Sequence, residues 1–289
     1  MLRLDDGRDL AYAEYGDPGG VPVFAFHGTP GSHAQAAPLG AVAAARNARL
    51  IVPDRPGYGH STFDPQLTLT GWAADVRAIA GQLGLGRFGV VGVSGGGPYA
   101  AACAHQLGDR LTGCAIVSGC GSMAEPGDAI GMMPLNRLFA WLARRAPMLL
   151  PVPFAALSLA ARRLSEDRLR ERLASQMPPA DVAIIGRPEI SSIFFEDLAT
   201  KHPTRAKASA QDFALFARPW GFELEQISSV PVHIWQGDQD VNVPVHHAER
   251  YADLIPGSTL HLAKGEGHLL VYDRGAEIVD AATGTAATD

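Results

Sequence analysis

Ser94 is the residue through which this chain could do covalent chemistry. It stands in Gly92-Val93-Ser94-Gly95-Gly96, between an apolar run of strand length at 88–93 and a good helix former at 98–107. A sharp turn from strand into helix lifts a serine hydroxyl clear of a sheet. Small residues on both sides are needed because that turn is strained and crowded. The pentapeptide alone is a weak signal in a chain with 32 glycines; its placement is the stronger one.

A serine hydroxyl is a poor nucleophile near neutral pH. A base must take its proton, and an acid must hold that base in the right tautomer. Histidine is the usual base, and position must choose among ten. His268, in Gly265-Glu266-Gly267-His268-Leu269, directly follows the last strand candidate. His27 opens a different loop, His233 and His261 fall within strands, and the adjacent His246 and His247 cannot share a helical face. For the acid, the stretch from Gln236 to Pro244 follows another strand candidate and carries two aspartates. Asp238 suits the turn itself, whereas Asp240 lies further out, where it could reach His268, so Asp240 is the expected acid. Two backbone N–H groups must also face the developing oxyanion. Gly95 would supply one. Thr29, in His27-Gly28-Thr29-Pro30-Gly31-Ser32, would supply the other, since Pro30 has none to offer.

The elements that must position these residues alternate. Asp6-Gly7 is a hairpin signal. Apolar runs of buried-strand character follow at 21–26, 50–52, 88–93, 111–117, 232–235 and 259–262. Helical stretches lie between most of them, at 34–46, 68–83, 97–107 and 245–255, with a last one at 269–280. Such alternation implies a mostly parallel sheet covered on both faces, with the opening hairpin adding antiparallel strands at one edge. Between Ser118 and Ser229 no strand run occurs and the text turns helical, notably at 134–146, 154–164, 166–176 and 208–216. This reads as a helical insertion capping the sheet. The tail from Ala281 to Asp289 is expected to be disordered.

The formal net charge of −6 leaves no basic surplus for a nucleic-acid partner. Hydrophobic content of 47% and charged content of 19% fit a globular protein. Cys103, Cys114 and Cys120 are odd in number and lack metal-ligand spacing, so they are expected to be reduced core residues. The N-terminus lacks the apolar core of a signal peptide. The greasiest stretch, 138–161, is interrupted by Arg144, Arg145 and three prolines, so no membrane span is expected, and the reading is cytoplasmic. The Gly84-x-Gly86-x-x-Gly89 match to a dinucleotide fingerprint precedes a strand instead of following one. No phosphate-binding Gly-Lys-Ser/Thr loop or His-Glu-x-x-His occurs, so no metal, nucleotide or other cofactor is implied.

The motifs His27-Gly28-Thr29-Pro30-Gly31, Asp54-Arg55-Pro56-Gly57-Tyr58-Gly59-His60-Ser61, Gly92-Val93-Ser94-Gly95-Gly96, Gly237-x-x-Asp240-x-x-Val243-Pro244 and Gly267-His268 together resemble the α/β-hydrolase fold family, in that family's order. The resemblance spans nearly the whole chain. It implies an α/β fold with a mostly parallel eight-stranded sheet flanked by helices and a helical cap inserted after strand six. The core would be residues 1–121 and 220–289, and the cap 122–219. Asp54 would belong to a structural loop beneath the site. A serine at the elbow disfavours the activities that similar proteins run with aspartate or cysteine there. What remains is ester, thioester, lactone or amide hydrolysis through an acyl-serine, with a carboxylic-ester hydrolase on a small or medium apolar molecule expected first. Carbon–carbon bond hydrolysis, proline-aminopeptidase-like hydrolysis and a non-catalytic ligand-binding protein on the same fold are the rivals. Met133, Phe139, Phe194, Phe195 and Trp220 are the candidate pocket residues of the cap and its edge. The partner would be a small-molecule substrate, and a homodimer is among the assemblies the sequence allows.

Overall fold

The computed structural model describes residues 1–200 and 202–285. Two short strands, β1 (Leu2–Arg3) and β2 (Asp9–Leu10), pair antiparallel across the Asp6-Gly7 turn as a separate two-stranded ribbon. Arg8 fastens this ribbon to the body through both oxygens of Asp75, at 2.7 and 2.8 Å. The main sheet holds β3 (Tyr12–Gly16), β4 (Val21–Phe26), β5 (Ala48–Pro53), β6 (Phe88–Val93), β7 (Leu111–Val117), β8 (Val232–Gly237) and β9 (Thr259–Ala263), in the spatial order β3-β5-β4-β6-β7-β8-β9. Every pairing is parallel except β3 with β5.

Seven strands replace the expected eight. The ladder breaks at Ala11, whose N–H goes to the Ser61 hydroxyl and whose carbonyl takes the Asp54 amide, so β1 and β2 turn away from the sheet. Only β3 supplies the expected antiparallel strand at that edge.

Strand residues alternate between two apolar layers, as a sheet covered on both faces requires. Phe24, Phe26, Ile51, Val90, Ile116 and Ile234 pack with α2 (Leu69–Gln82), α3 (Gly97–Leu107) and α10 (His246–Leu254). Their neighbours Val23, Ala25, Leu50, Val52, Val91, Ala115 and Trp235 pack with α1 (Gly40–Ala45) and α11 (Gly275–Thr283). Helix α11 includes Ala281–Thr283, where a disordered tail is expected, and residues 286–289 lie outside the described residues.

Between β7 and β8 the chain forms α4 (Pro134–Arg145), α5 (Pro151–Arg163), α6 (Glu166–Ala174), α7 (Pro179–Ile185), α8 (Pro188–Ala199) and α9 (Arg205–Phe216). Four of these six open with proline in the first turn, where its missing N–H costs no hydrogen bond. The chain leaves β4 outward to β5 and returns to β6 on the other side of β4. The crevice beyond the carboxyl ends of β4 and β6 is therefore the switch point of the sheet, where ligands of open α/β folds bind.

Candidate active site

Ser94 follows β6 with φ at +54°, a left-handed conformation that an L-residue holds only when its surroundings force it. Those surroundings are glycines that cannot be replaced. A Cβ on Gly92 would come 2.4 Å from the Gly96 carbonyl, and one on Gly96 would come 2.3 Å from that of Phe26. Helix α3 starts at once from this elbow, so the positive end of its dipole lies beside the serine.

The loop after β4 packs directly on this elbow. A Cβ built on Gly95 would meet Thr29 Oγ1 at 2.3 Å and the Thr29 nitrogen at 3.1 Å, so the backbones of Thr29 and Gly95 are adjacent. Arg55 orients the loop from behind. Its guanidinium donates to the His27 carbonyl, to the Gly28 carbonyl at 3.0 Å and to Thr29 Oγ1 at 2.9 Å. In a planar trans peptide the N–H points opposite to the carbonyl, so anchoring the Gly28 oxygen on Arg55 turns the Thr29 N–H away from Arg55.

His27 is part of this frame. Its Nε2 accepts the Arg55 amide at 3.2 Å, so Nδ1 carries the proton and donates to the Gly28 carbonyl at 2.8 Å. Burial, with the Arg55 charge, pushes its pKa well below the usual value, which leaves a neutral structural ring. Asp54 likewise serves the frame. Its carboxylate accepts the His33 amide and meets the His33 ring, both at 2.8 Å.

His268 follows β9, and its Nδ1 donates to Asp240 Oδ2 at 2.8 Å. Asp240 is buried and fully engaged. Its Oδ1 accepts the amides of Asn242 and Val243 at 2.8 and 2.9 Å, and its Oδ2 also accepts Gln236 Nε2 at 3.0 Å. Asp238, the other aspartate of that loop, takes the Gly265 amide at 2.7 Å and shapes the turn. Burial pushes the His268 pKa down, but the charge and hydrogen bond of Asp240, with the charge of Asp181, outweigh it, and the net shift is upward. The ring thus holds Nδ1–H toward Asp240 and has Nε2 free to act on a hydroxyl.

Ser94, Gly28, Thr29 and His268 line one cavity of about 260 Å³. The Ser94 hydroxyl makes no hydrogen bond to the His268 ring; the Cys120 thiol lies beside it instead. Burial raises the Cys120 pKa to about 12, so that sulfur stays a thiol. All three cysteines are buried and free. No group of three or more His, Cys, Asp or Glu side chains among the described residues could hold a metal ion.

Of the pocket candidates, Met133, Phe139 and Phe194 line the cavity. Phe195 does not: next to Phe194 on α8 it points about 100° away, into a cluster with Leu169, Ile184 and Leu198. Trp220 does not either, because beyond Pro219 it turns back onto Tyr251 and Phe222 and lines a second depression.

Sequence reasoning missed three buried carboxylates of the helical insertion. Asp181 accepts the amides of His268 and Leu269, at 2.9 and 2.8 Å. It fills the space of a Gly267 side chain, since a Cβ there would lie 2.4 Å from Asp181 Oδ2. Asp197 accepts Ser32 Oγ at 2.7 Å and Gln35 Nε2 at 3.1 Å, and it pairs with Arg205. Asp212 takes four donors: Thr29 Oγ1 at 2.6 Å, Arg55 Nη2 at 2.9 Å, and the hydroxyls of Tyr58 and Tyr99 at 2.7 and 2.5 Å. One signal was present. In α9 the buried stripe Ala208, Ser209, Asp212, Phe213, Phe216 carries a carboxylate at a core position.

Removing Asp212 would leave Arg55 as an uncompensated charge in the interior. Asp212→Ala is expected to cost about 3–5 kcal/mol of stability in denaturant unfolding. A loss below about 1 kcal/mol would mean that the pair contributes little.

The description "alpha/beta hydrolase fold" belongs to the family profile that matches residues 21–275. A proline iminopeptidase from Xylella fastidiosa is 27% identical over 286 residues, covering 93% of this chain and 90% of its own. An uncharacterized protein from Mycobacterium bovis is 25% identical over 234 residues; the match takes in 80% of this chain but only 65% of that protein's length. Among solved structures, an alpha/beta hydrolase fold protein from Nakamurella multipartita superposes with a TM-score of 0.63 at 25% identity, over 96% of this chain and 97% of its own. A profile matched over most of the chain, on a sheet of the order described, leaves one conclusion: the chain belongs to the alpha/beta hydrolase fold family.

Proposed function

We propose that the protein is a cofactor-independent serine hydrolase working through an acyl-serine, with a carboxylic ester of a small or medium apolar acid as its substrate. The observation that carries this reading is the His268–Asp240 pair facing the same cavity as a serine held at positive φ. Residues 1–121 and 220–289 act as the catalytic core and 122–219 as a cap that walls the acyl site.

Ser94 Oγ attacks the ester carbonyl carbon while His268 Nε2 takes its proton. The carbonyl π electrons move to oxygen, where the amides of Thr29 and Gly95 stabilise the charge. The intermediate collapses, and His268 returns the proton to the leaving alkoxide. Water, deprotonated by His268, then attacks the acyl-serine. A second collapse releases the acid and restores Ser94. Asp240 holds the tautomer and stabilises the imidazolium in both halves.

Apart from Asp197, Arg205 and His268, the cavity carries no acidic or basic side chain on its described wall, and Met133, Phe139, Leu157, Phe194 and Phe213 make it apolar. An aminopeptidase acting on free amino termini would need an unpaired carboxylate, yet Asp197 is taken up by Ser32, Gln35 and Arg205.

The test is fluorophosphonate labelling together with p-nitrophenyl esters of increasing acyl length. Labelling at Ser94 is expected, with rates that depend on acyl length, since the wall of Met133, Phe139, Leu157, Phe194 and Phe213 limits what fits. Folded protein that neither labels nor turns over any ester would overturn the reading.

Asp181 gives a pH prediction. Protonated His268 cannot accept the Ser94 proton, so kcat/KM falls as pH drops through its pKa. The raised pKa puts that acid limb above the usual histidine value. Asp181→Asn removes one of the charges that raise it, so the limb should move to lower pH. An unmoved limb would show that Asp181 only shapes the loop.

A further inference from the structure

We propose that the outer face of the α4–α5 hairpin seats the protein on an anionic lipid surface, without spanning it. The two helices pack side by side. Phe139 of α4 and Phe154 of α5 stack with ring centroids 4.3 Å apart, and both rings meet Phe213 of α9. At about 100° per residue, Trp141 and Val152 stand some 200° from those phenylalanines, on the side away from α9. That side is apolar and open: Met148 is 90% exposed, Val152 67%, Leu149 56% and Trp141 52%, with Leu138 and Leu159 beside them.

Charge says what covers it. From residue 129 to residue 165 the chain contains no Asp or Glu but five arginines, at 137, 144, 145, 162 and 163. The whole chain is at −6, so everything outside this stretch sums to −11. Arg137, Arg145, Arg162 and Arg163 are exposed, and none joins an ion pair among the described residues. Apolar side chains and an aromatic ring among exposed arginines are the composition of helices that lie in an anionic membrane interface. Self-pairing of the face about a two-fold axis would set four exposed arginines against four with no carboxylate of the segment between them. Spanning is not available either, since no helix among the described residues is long and apolar enough. The same hairpin lines the cavity on its inner side through Asn136, Phe139 and Leu157, so the docked face lies over the pocket wall.

This inference does not depend on the chemistry of Ser94, and its test reads binding alone. Wild type and Ser94→Ala are sedimented with vesicles of phosphatidylcholine or of a 7:3 mixture with phosphatidylglycerol. Both proteins should bind the anionic vesicles at least tenfold more tightly, and 0.5 M NaCl should release them. An arginine near such a surface is worth about fivefold, so Arg145→Glu with Arg162→Glu should weaken binding by more than about 25-fold. Trp141→Ser with Met148→Ser should weaken it as well, in protein that circular dichroism shows to be folded, since Met148 is 90% and Trp141 52% exposed. Absence of phosphatidylglycerol-dependent binding would overturn the proposal. So would a wild-type dimer in light scattering that the Trp141/Met148 variant converts to monomer, because a second copy would then cover the face.

Discussion

Ser94→Ala is expected to lower kcat by about 10⁵- to 10⁶-fold, while KM changes within a few fold and the protein stays folded. The substitution removes one oxygen. It leaves the elbow as it is, because the crowding there is set by Gly92 against Gly96 and by Gly95 against Thr29, not by the serine hydroxyl. What should survive is a residual acceleration of about 10³- to 10⁴-fold over water, since the Thr29 and Gly95 amides and the apolar cavity remain. Fluorophosphonate labelling should vanish along with turnover. A variant that kept wild-type turnover would remove Ser94 from the chemistry and with it the acyl-serine reading.

The motifs flanking the cavity were legible in the sequence because each is local. Strands β4, β6 and β7 coincide with their apolar runs, since a strand buried on both faces has no polar side to blur its ends, and β5, β8 and β9 agree within two residues. Gly92, Gly95 and Gly96 were readable as a crowded turn without knowing that Phe26 and Thr29 supply the crowding. Phe194 and Phe195 were not separable, because adjacent aromatic residues give no phase until the helix they sit on is placed. Helices α7 and α8 were missed, α7 being only seven residues long. The count of eight strands failed at Ala11, where two hydrogen bonds to a loop some fifty residues away outcompete the ladder.

The three insertion carboxylates were illegible for the same reason at larger scale. Asp181 meets amides 87 and 88 positions away, Asp197 reaches Ser32 over 165, and Asp212 reaches Thr29 over 183. Their effect is ordered. Asp181 takes hold of the loop carrying His268, while Asp197 and Asp212 hold two points of the loop after β4, Ser32 and Thr29. The insertion thereby anchors the loops that carry the groups proposed to do the chemistry. In a low-dielectric interior such carboxylates are kept only where donors satisfy them, and here four donors converge on Asp212 alone. Burial, with the Asp212 charge, raises the pKa of Tyr58 and Tyr99 and keeps both phenols protonated as donors.

Asp240→Asn should cost about 10⁴-fold in kcat with the fold retained, although only one heavy atom changes in kind. The hydrogen-bond donors around Asp240 decide the outcome. On the Oδ1 side stand the amides of Asn242 and Val243, so the amide oxygen of an asparagine must face them. Its NH₂ then points where Oδ2 was, at Gln236 Nε2 and His268 Nδ1. Gln236 cannot relieve the conflict by turning over, because its own NH₂ already donates to the Val243 carbonyl at 2.8 Å. His268 can, by accepting at Nδ1 and moving its proton to Nε2. That is the tautomer unable to take a proton from Ser94. The acid limb of any residual kcat/KM should fall to lower pH as well, since the charge that raises the His268 pKa is gone. Asp238→Asn is the control from the same loop. Among the described residues its carboxylate holds the Gly265 amide and a Gln239 side chain, contacts an amide can keep, so less than about threefold should be lost. Steady-state kinetics of the two variants on one ester separate the roles, and a reversed order would move the acid from Asp240 to Asp238.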